Sequence, residues 1–180
     1  MRIHRDYAVA FLWGFAEATL FFIVPDVWLT LMSLRGIRKA LVGCVYAASG
    51  ALMGGVVMYL WGRSAPSTAL SVMDAIPAIS RGLIHRVIDE LSSTGIIALF
   101  VGPFSGAPYK LYAVVSGALE IPLILFILIS IPARLVRFIL LSTMAGVLSR
   151  RVHAGTREKA LVILLLWGLF YAIFFALMPD

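Results

Sequence analysis

Cysteine occurs once, at Cys44 inside an apolar stretch, so the chain cannot close an internal disulfide. Histidine is nearly as scarce. His4, His85 and His153 lie far apart with no cysteine beside them, which argues against a metal centre, and no cofactor is expected. Charge is the third shortage: 13% of the 180 residues are Asp, Glu, Lys or Arg, against roughly 25% in a soluble domain. No nucleophile stands with a base in a recognisable pattern, so the chain is not expected to be an enzyme. It also lacks a myristoylation or prenylation motif. The start, "MRIHRDYAVAFLWGF", has no small-residue cleavage pattern before Glu17 and is expected to be retained.

Apolar sequence fills the space that these shortages leave. The chain is 62% hydrophobic with mean hydropathy +1.01. One soluble core cannot hide that many apolar side chains, so the reading is a single-domain, all-α integral membrane protein. Net charge is +6. Most of the bases sit in short loops between apolar segments, which is the pattern of positive membrane loops and not of a nucleic-acid-binding face.

The chain divides into an apolar region at 7–34, a span at 40–62, an amphipathic link at 64–94, an apolar region at 95–120, a span at 121–148 and a last span at 160–178. The spans are each about 20 residues or longer, enough to cross a bilayer. In the link, Ile79, Leu83, Ile84, Val87 and Leu91 alternate with charged residues at helical spacing, and Arg86 and Glu90 form an i,i+4 pair. That pattern reads as an interfacial or solvated helix.

Loop charges give the orientation. Arg2 and Arg5 precede 7–34, and Arg35, Arg38 and Lys39 follow it. A single crossing would put these clusters on opposite sides, which the positive-inside rule disfavours. A segment that enters and turns back keeps both inside. Pro25 supplies the break, because it lacks a backbone donor and disfavours helix at Val24. "GPFSGAP" at 102–108 supplies a second break. Pro103, Gly106, Pro108 and Tyr109 then shape the tip of a hairpin entering from the other side. Broken backbone at membrane depth is tolerated only where protein or a wet cavity satisfies it. The expected fold is therefore an inverted repeat of re-entrant hairpin plus transmembrane helix, with an extra C-terminal transmembrane helix, a plan shared by many transporters.

The membrane region holds two acids on the first hairpin, Glu17 and Asp26, and three bases in the second half, Lys110, Arg134 and Arg137. Arg134 and Arg137 lie one turn apart on one helix face. An arginine at mid-membrane costs about 3 kcal/mol on insertion scales, so these residues need partners or water. Facing halves would pair acid with base and leave one positive charge, suited to an anionic group such as phosphate. Snorkelling to an interface is the alternative for Lys110, Arg134 and Arg137. The G-x-x-x-G at 50–54 is read as close packing inside the monomer, and Trp13, Trp28, Trp61 and Trp167 as interface anchors.

At these residues the chain resembles the DedA family, also called the SNARE-associated or VTT-domain superfamily. Glu17 and the "PD" at 25–26 match the first re-entrant motif, "YLWGR" at 59–63 the end of the following span, and "GPFSGAPYKLYAVVSG" at 102–117 the second re-entrant motif. "ARLVRF" at 133–138 is similar to a shorter, divergent branch, and the likeness covers about residues 10–148. Two features depart from the family pattern. Lys110 stands alone where members often carry two arginines, and a single proline precedes Asp26. The resemblance implies translocation of phospholipids or polyprenyl phosphates, possible proton linkage through Glu17 and Asp26, and phosphate binding by Lys110, Arg134 and Arg137. Expected partners are anionic membrane lipids, with no nucleic acid and a homo-oligomer left open. Expected location is the inner (plasma) membrane with a cytoplasmic N-terminus. A small-solute or ion transporter on the same fold and a non-transporting membrane scaffold are the alternatives.

Overall fold

The computed structural model describes residues 2–77, 79–102 and 106–177. The described residues form helices joined by short turns, with no strand: α1 (Arg2–Ala18), α2 (Asp26–Ser33), α3 (Ile37–Ser64), α4 (Pro66–Asp74), α5 (Arg81–Thr94), α6 (Ile97–Val101), α7 (Tyr109–Ala118), α8 (Leu123–Arg151) and α9 (Thr156–Leu177). Among them α3, α8 and α9 are long and apolar enough to cross a membrane.

Helix starts follow local chemistry. Pro25, Pro108 and Pro122 stand directly before α2, α7 and α8, and Pro66 opens α4. A proline loses nothing there, because the first helical donors have no partner inside the helix. Gly36, at φ 135°, separates α2 from α3 in a conformation closed to other residues. The link at 64–94 holds two helices. The second begins at an ordinary cap, with Ser80 Oγ accepting from Leu83 N at 3.3 Å. Its face of Ile84, Val87 and Leu91 is buried, and α5 packs on α7. The expected Arg86–Glu90 pair forms, at 2.8 Å.

Helix α3 is the centre of the molecule, in contact with α1, α2, α4, α7 and α8. Small residues allow this crowding. A Cβ at Gly14 would lie 2.1 Å from Ala47 O, and one at Gly50 would lie 2.0 Å from Phe11 O. The α1 and α3 backbones therefore touch, and the G-x-x-x-G works inside the monomer. The α3–α7 contact is just as close, with Gly117 against Tyr59 O and Gly62 against Val114 O. Buried Leu29, Met32, Cys44 and Phe138 form one apolar cluster. A larger one surrounds Tyr59, Leu99, Leu111, Tyr112 and Phe126.

The first segment doubles back. Trp28 Nε1 on α2 donates to Asp6 O on α1 at 3.1 Å, and Arg35 pairs with Asp6 at 3.1 Å. Arg35, two residues past the end of α2, thus lies beside the start of α1. Helix α9 differs from the rest: none of its described residues is buried, and its main contact is with α2.

Candidate functional site

The turn at 19–25 lies between the two acids. Glu17 is in the last turn of α1, and Asp26 is the first residue of α2. Asp26 is placed where free backbone N–H groups favour a negative charge. Both side chains are buried.

Helix α8 brings Arg134 and Arg137 to these acids. Arg134 Nη2 donates to Glu17 Oε2, and both side chains are nearly excluded from solvent. Arg137 Nη2 donates to Asp26 Oδ2 at 3.1 Å. One helical turn separates the arginines, and the short turn separates the acids, so two parallel bridges join the halves. The pairing expected from the facing of acids and bases is therefore present in the geometry. Aromatic rings flank Arg134, its Cζ lying 4.6 Å from the Tyr109 ring centroid and 4.9 Å from that of Phe138. That arrangement offers a second source of stabilisation to a guanidinium removed from water.

Lys110 reaches the same turn by a different route. It is buried at the start of α7, and Nζ donates to Phe21 O at 2.5 Å. It does not snorkel to a surface. No carboxylate pairs with Lys110 among the described residues, so three bases meet two acids and one positive charge remains (3 − 2 = +1).

These groups border a cavity of about 1200 Å3. Glu17, Lys110 and Arg137 line it, whereas Arg134, Asp26 and Tyr109 do not. Arg134 is thus a partner of Glu17 behind the cavity wall and not a group at the wall. Leu141, Met144 and Leu148 of α8 and Val162, Leu166 and Phe170 of α9 line it as well. Pro77, Gly106 and Pro108 line the same cavity, and so do Arg151 and Lys159.

The tip residues are placed as follows. Pro25 and Pro108 precede α2 and α7, and Gly106 has φ 94°. Tyr109 is the first residue of α7 and fully buried, with its ring stacked on Phe126 at 6.1 Å. Pro103 lies outside the described residues.

Sequence reasoning missed the contribution of α9. Trp167 Nε1 donates to Thr30 Oγ1 at 3.1 Å, and Tyr171 OH accepts from Val24 N at 2.8 Å. The two bonds hold α9 to α2 and to the turn that precedes it. Trp13 Nε1 likewise donates to Ile23 O at 2.9 Å. With Trp28 on Asp6 O, three tryptophans read as interface anchors have their indole N–H committed inside the protein. Aromatic side chains on an otherwise aliphatic helix were the available signal, but partner identity lies more than 100 residues away.

No family model matches the chain, and no solved structure matches it. A Haemophilus influenzae protein described as uncharacterized is similar to it, 26% identical over 150 residues that cover 83% of this chain and 77% of that one.

Proposed function

We propose that this protein moves a phosphate-bearing lipid, a phospholipid or a polyprenyl phosphate, across the bilayer. The observation that carries the reading is Lys110: a buried cation with no salt-bridge partner among the described residues, beside a cavity whose α8 and α9 walls are mostly apolar. A lipid phosphate would neutralise that charge while its chain lies against the apolar walls. Arg137, which also lines the cavity, is the second group in reach.

In this reading residues 7–34 and 95–120 are re-entrant hairpins of an inverted repeat. The contact pattern supports it. Helix α2 packs on α8 of the other half, and α7 packs on α3 of the other half. Helices α1 and α6 pack on the long helix of their own halves, α3 and α8. The DedA resemblance of Glu17, Pro25, Asp26 and the 102–117 stretch points the same way. Glu17 borders the cavity while holding Arg134, so a proton taken up there would release the arginine and loosen the two halves.

Purified protein in liposomes with fluorescent anionic and zwitterionic lipids tests the proposal. Flip without solute flux is the expected result. Lys110→Met should abolish the preference for the anionic lipid, and Lys110→Arg should keep part of it. An unchanged preference in Lys110→Met removes Lys110 as the phosphate site, and solute flux without flip rejects lipid as the cargo.

A further inference from the structure

Around the Glu17–Arg134 bridge several buried polar atoms are left over. Arg134 commits Nη2 to Glu17, but Nε and Nη1 have no hydrogen-bond partner in the protein. Tyr109 OH and Ser130 Oγ are near enough to interact with each other, but neither makes a hydrogen bond of ordinary geometry. All three side chains are buried, with Arg134 only 1% exposed. They are neighbours as well: Ser130 precedes Arg134 by one turn of α8, and the guanidinium lies over the Tyr109 ring. None of the three lines the 1200 Å3 cavity.

Ring contacts do not account for the missing partners. Tyr109 and Phe138 lie near the guanidinium, but their π faces do not supply the oxygen acceptors that its N–H groups ordinarily take. An unmade hydrogen bond at a buried group costs about 1–3 kcal/mol, and more at a charged one. Such groups in native proteins are generally satisfied, often by internal water with two to four polar partners.

We infer that ordered water occupies a closed site bounded by Arg134, Tyr109 and Ser130. Water suits the chemistry better than an ion. Arg134 already has its carboxylate partner in Glu17, whereas water accepts from the remaining N–H groups without bringing a further charge into a closed site. Water also changes what Glu17 can do. When the carboxylate lets go, Arg134 keeps oxygen partners on its other edge and is not left as a bare charge.

Radiolytic hydroxyl labelling with mass spectrometry tests this, because radicals formed from bound water mark side chains that bulk reagent cannot reach. Tyr59 is the internal reference, being 1% exposed, with its OH donating to Ile121 O at 2.5 Å. In the intact protein Tyr109 should be oxidised severalfold faster than Tyr59. Equal rates would overturn the inference. Ser130→Val replaces one polar partner with a methyl and should bring Tyr109 labelling down toward the Tyr59 rate. Rapid labelling of Tyr109 that persists in a folded Ser130→Val protein would also overturn it, since the source would then lie elsewhere. Because the wild-type ratio needs no variant, a Ser130→Val protein that fails to fold leaves the test intact. The measurement does not involve lipid, so its outcome is independent of the transport assay.

Discussion

At the residue scale the Glu17–Arg134 and Asp26–Arg137 bridges look alike but should respond differently to mutation. Removing one partner of a buried pair costs about 3–5 kcal/mol, mostly from the charge left behind. Arg134 is 1% exposed and walled off from the cavity, whereas the Arg137 side chain is 19% exposed and lines it. Arg137 can take water from the cavity when its acid is lost. Glu17→Gln is therefore expected to destabilise the detergent-solubilised protein by about 3 kcal/mol or more, and Asp26→Asn by clearly less. Neutralising both members, as in Glu17→Leu with Arg134→Met, should recover most of the loss, because apolar pairs of similar volume often replace buried ion pairs without penalty. Thermal unfolding of the variants checks the order. A double variant no more stable than Glu17→Gln would mean that the bridge contributes more than charge neutralisation. Under the transport proposal, the double variant folds and does not flip lipid.

At the scale of elements, close backbone contact between helices rests on a few glycines. A Cβ at Gly50 would sit 2.0 Å from Phe11 O, while one at Gly168 on α9 meets nothing within 4 Å. Gly50→Ala must push α1 off α3, with an expected loss of about 1–3 kcal/mol or more, as for other overpacked sites. Gly168→Ala should be neutral or stabilise by up to about 1 kcal/mol, since alanine is the better helix former. Melting temperatures of the two variants make the comparison, and equal shifts would show that the α1–α3 interface yields freely. The long elements were legible because hydropathy marks them: the spans at 40–62, 121–148 and 160–178 correspond to Ile37–Ser64, Leu123–Arg151 and Thr156–Leu177. Their ends were less so. Helix hydrogen bonding does not stop where hydropathy stops, so α3 takes in Arg38 and Lys39 and begins where Gly36 breaks the chain. The site was legible as a set of charges and not as a set of contacts. Nothing local assigns Glu17 to Arg134 rather than Arg137, or sends Lys110 to the Phe21 carbonyl. Those choices depend on how α1, α2, α7 and α8 meet, and hydrophobic periodicity carries no information about that.

At the scale of the whole molecule, the decisive constraint is the return of the chain to its starting point. Helix α1 has 17 residues, about 25 Å, and comes close to the thickness of a bilayer core of about 30 Å. Helix α2 has 8 residues, about 12 Å, and cannot cross alone. Yet Arg35 pairs with Asp6, and Trp28 bonds the Asp6 carbonyl. Under the transport proposal, these contacts put both ends of the segment on one face of the membrane, however deep the turn at 19–25 reaches. Excess Lys and Arg at 2–5 and 35–39 predicts that this face is the cytoplasmic one. Single cysteines at exposed His4 and Arg38, each in a Cys44→Ser background, test both statements. Impermeant maleimide added to sealed inside-out vesicles should label both positions. Added to right-side-out cells, it should label neither. Labelling of the two from opposite faces would make residues 7–34 a simple crossing, break the Asp6–Arg35 pair and remove the inverted repeat. Labelling of both only from the outside would keep the hairpin and reverse the protein, placing the loop with Arg150, Arg151, Arg157 and Lys159 outside as well, against the charge rule.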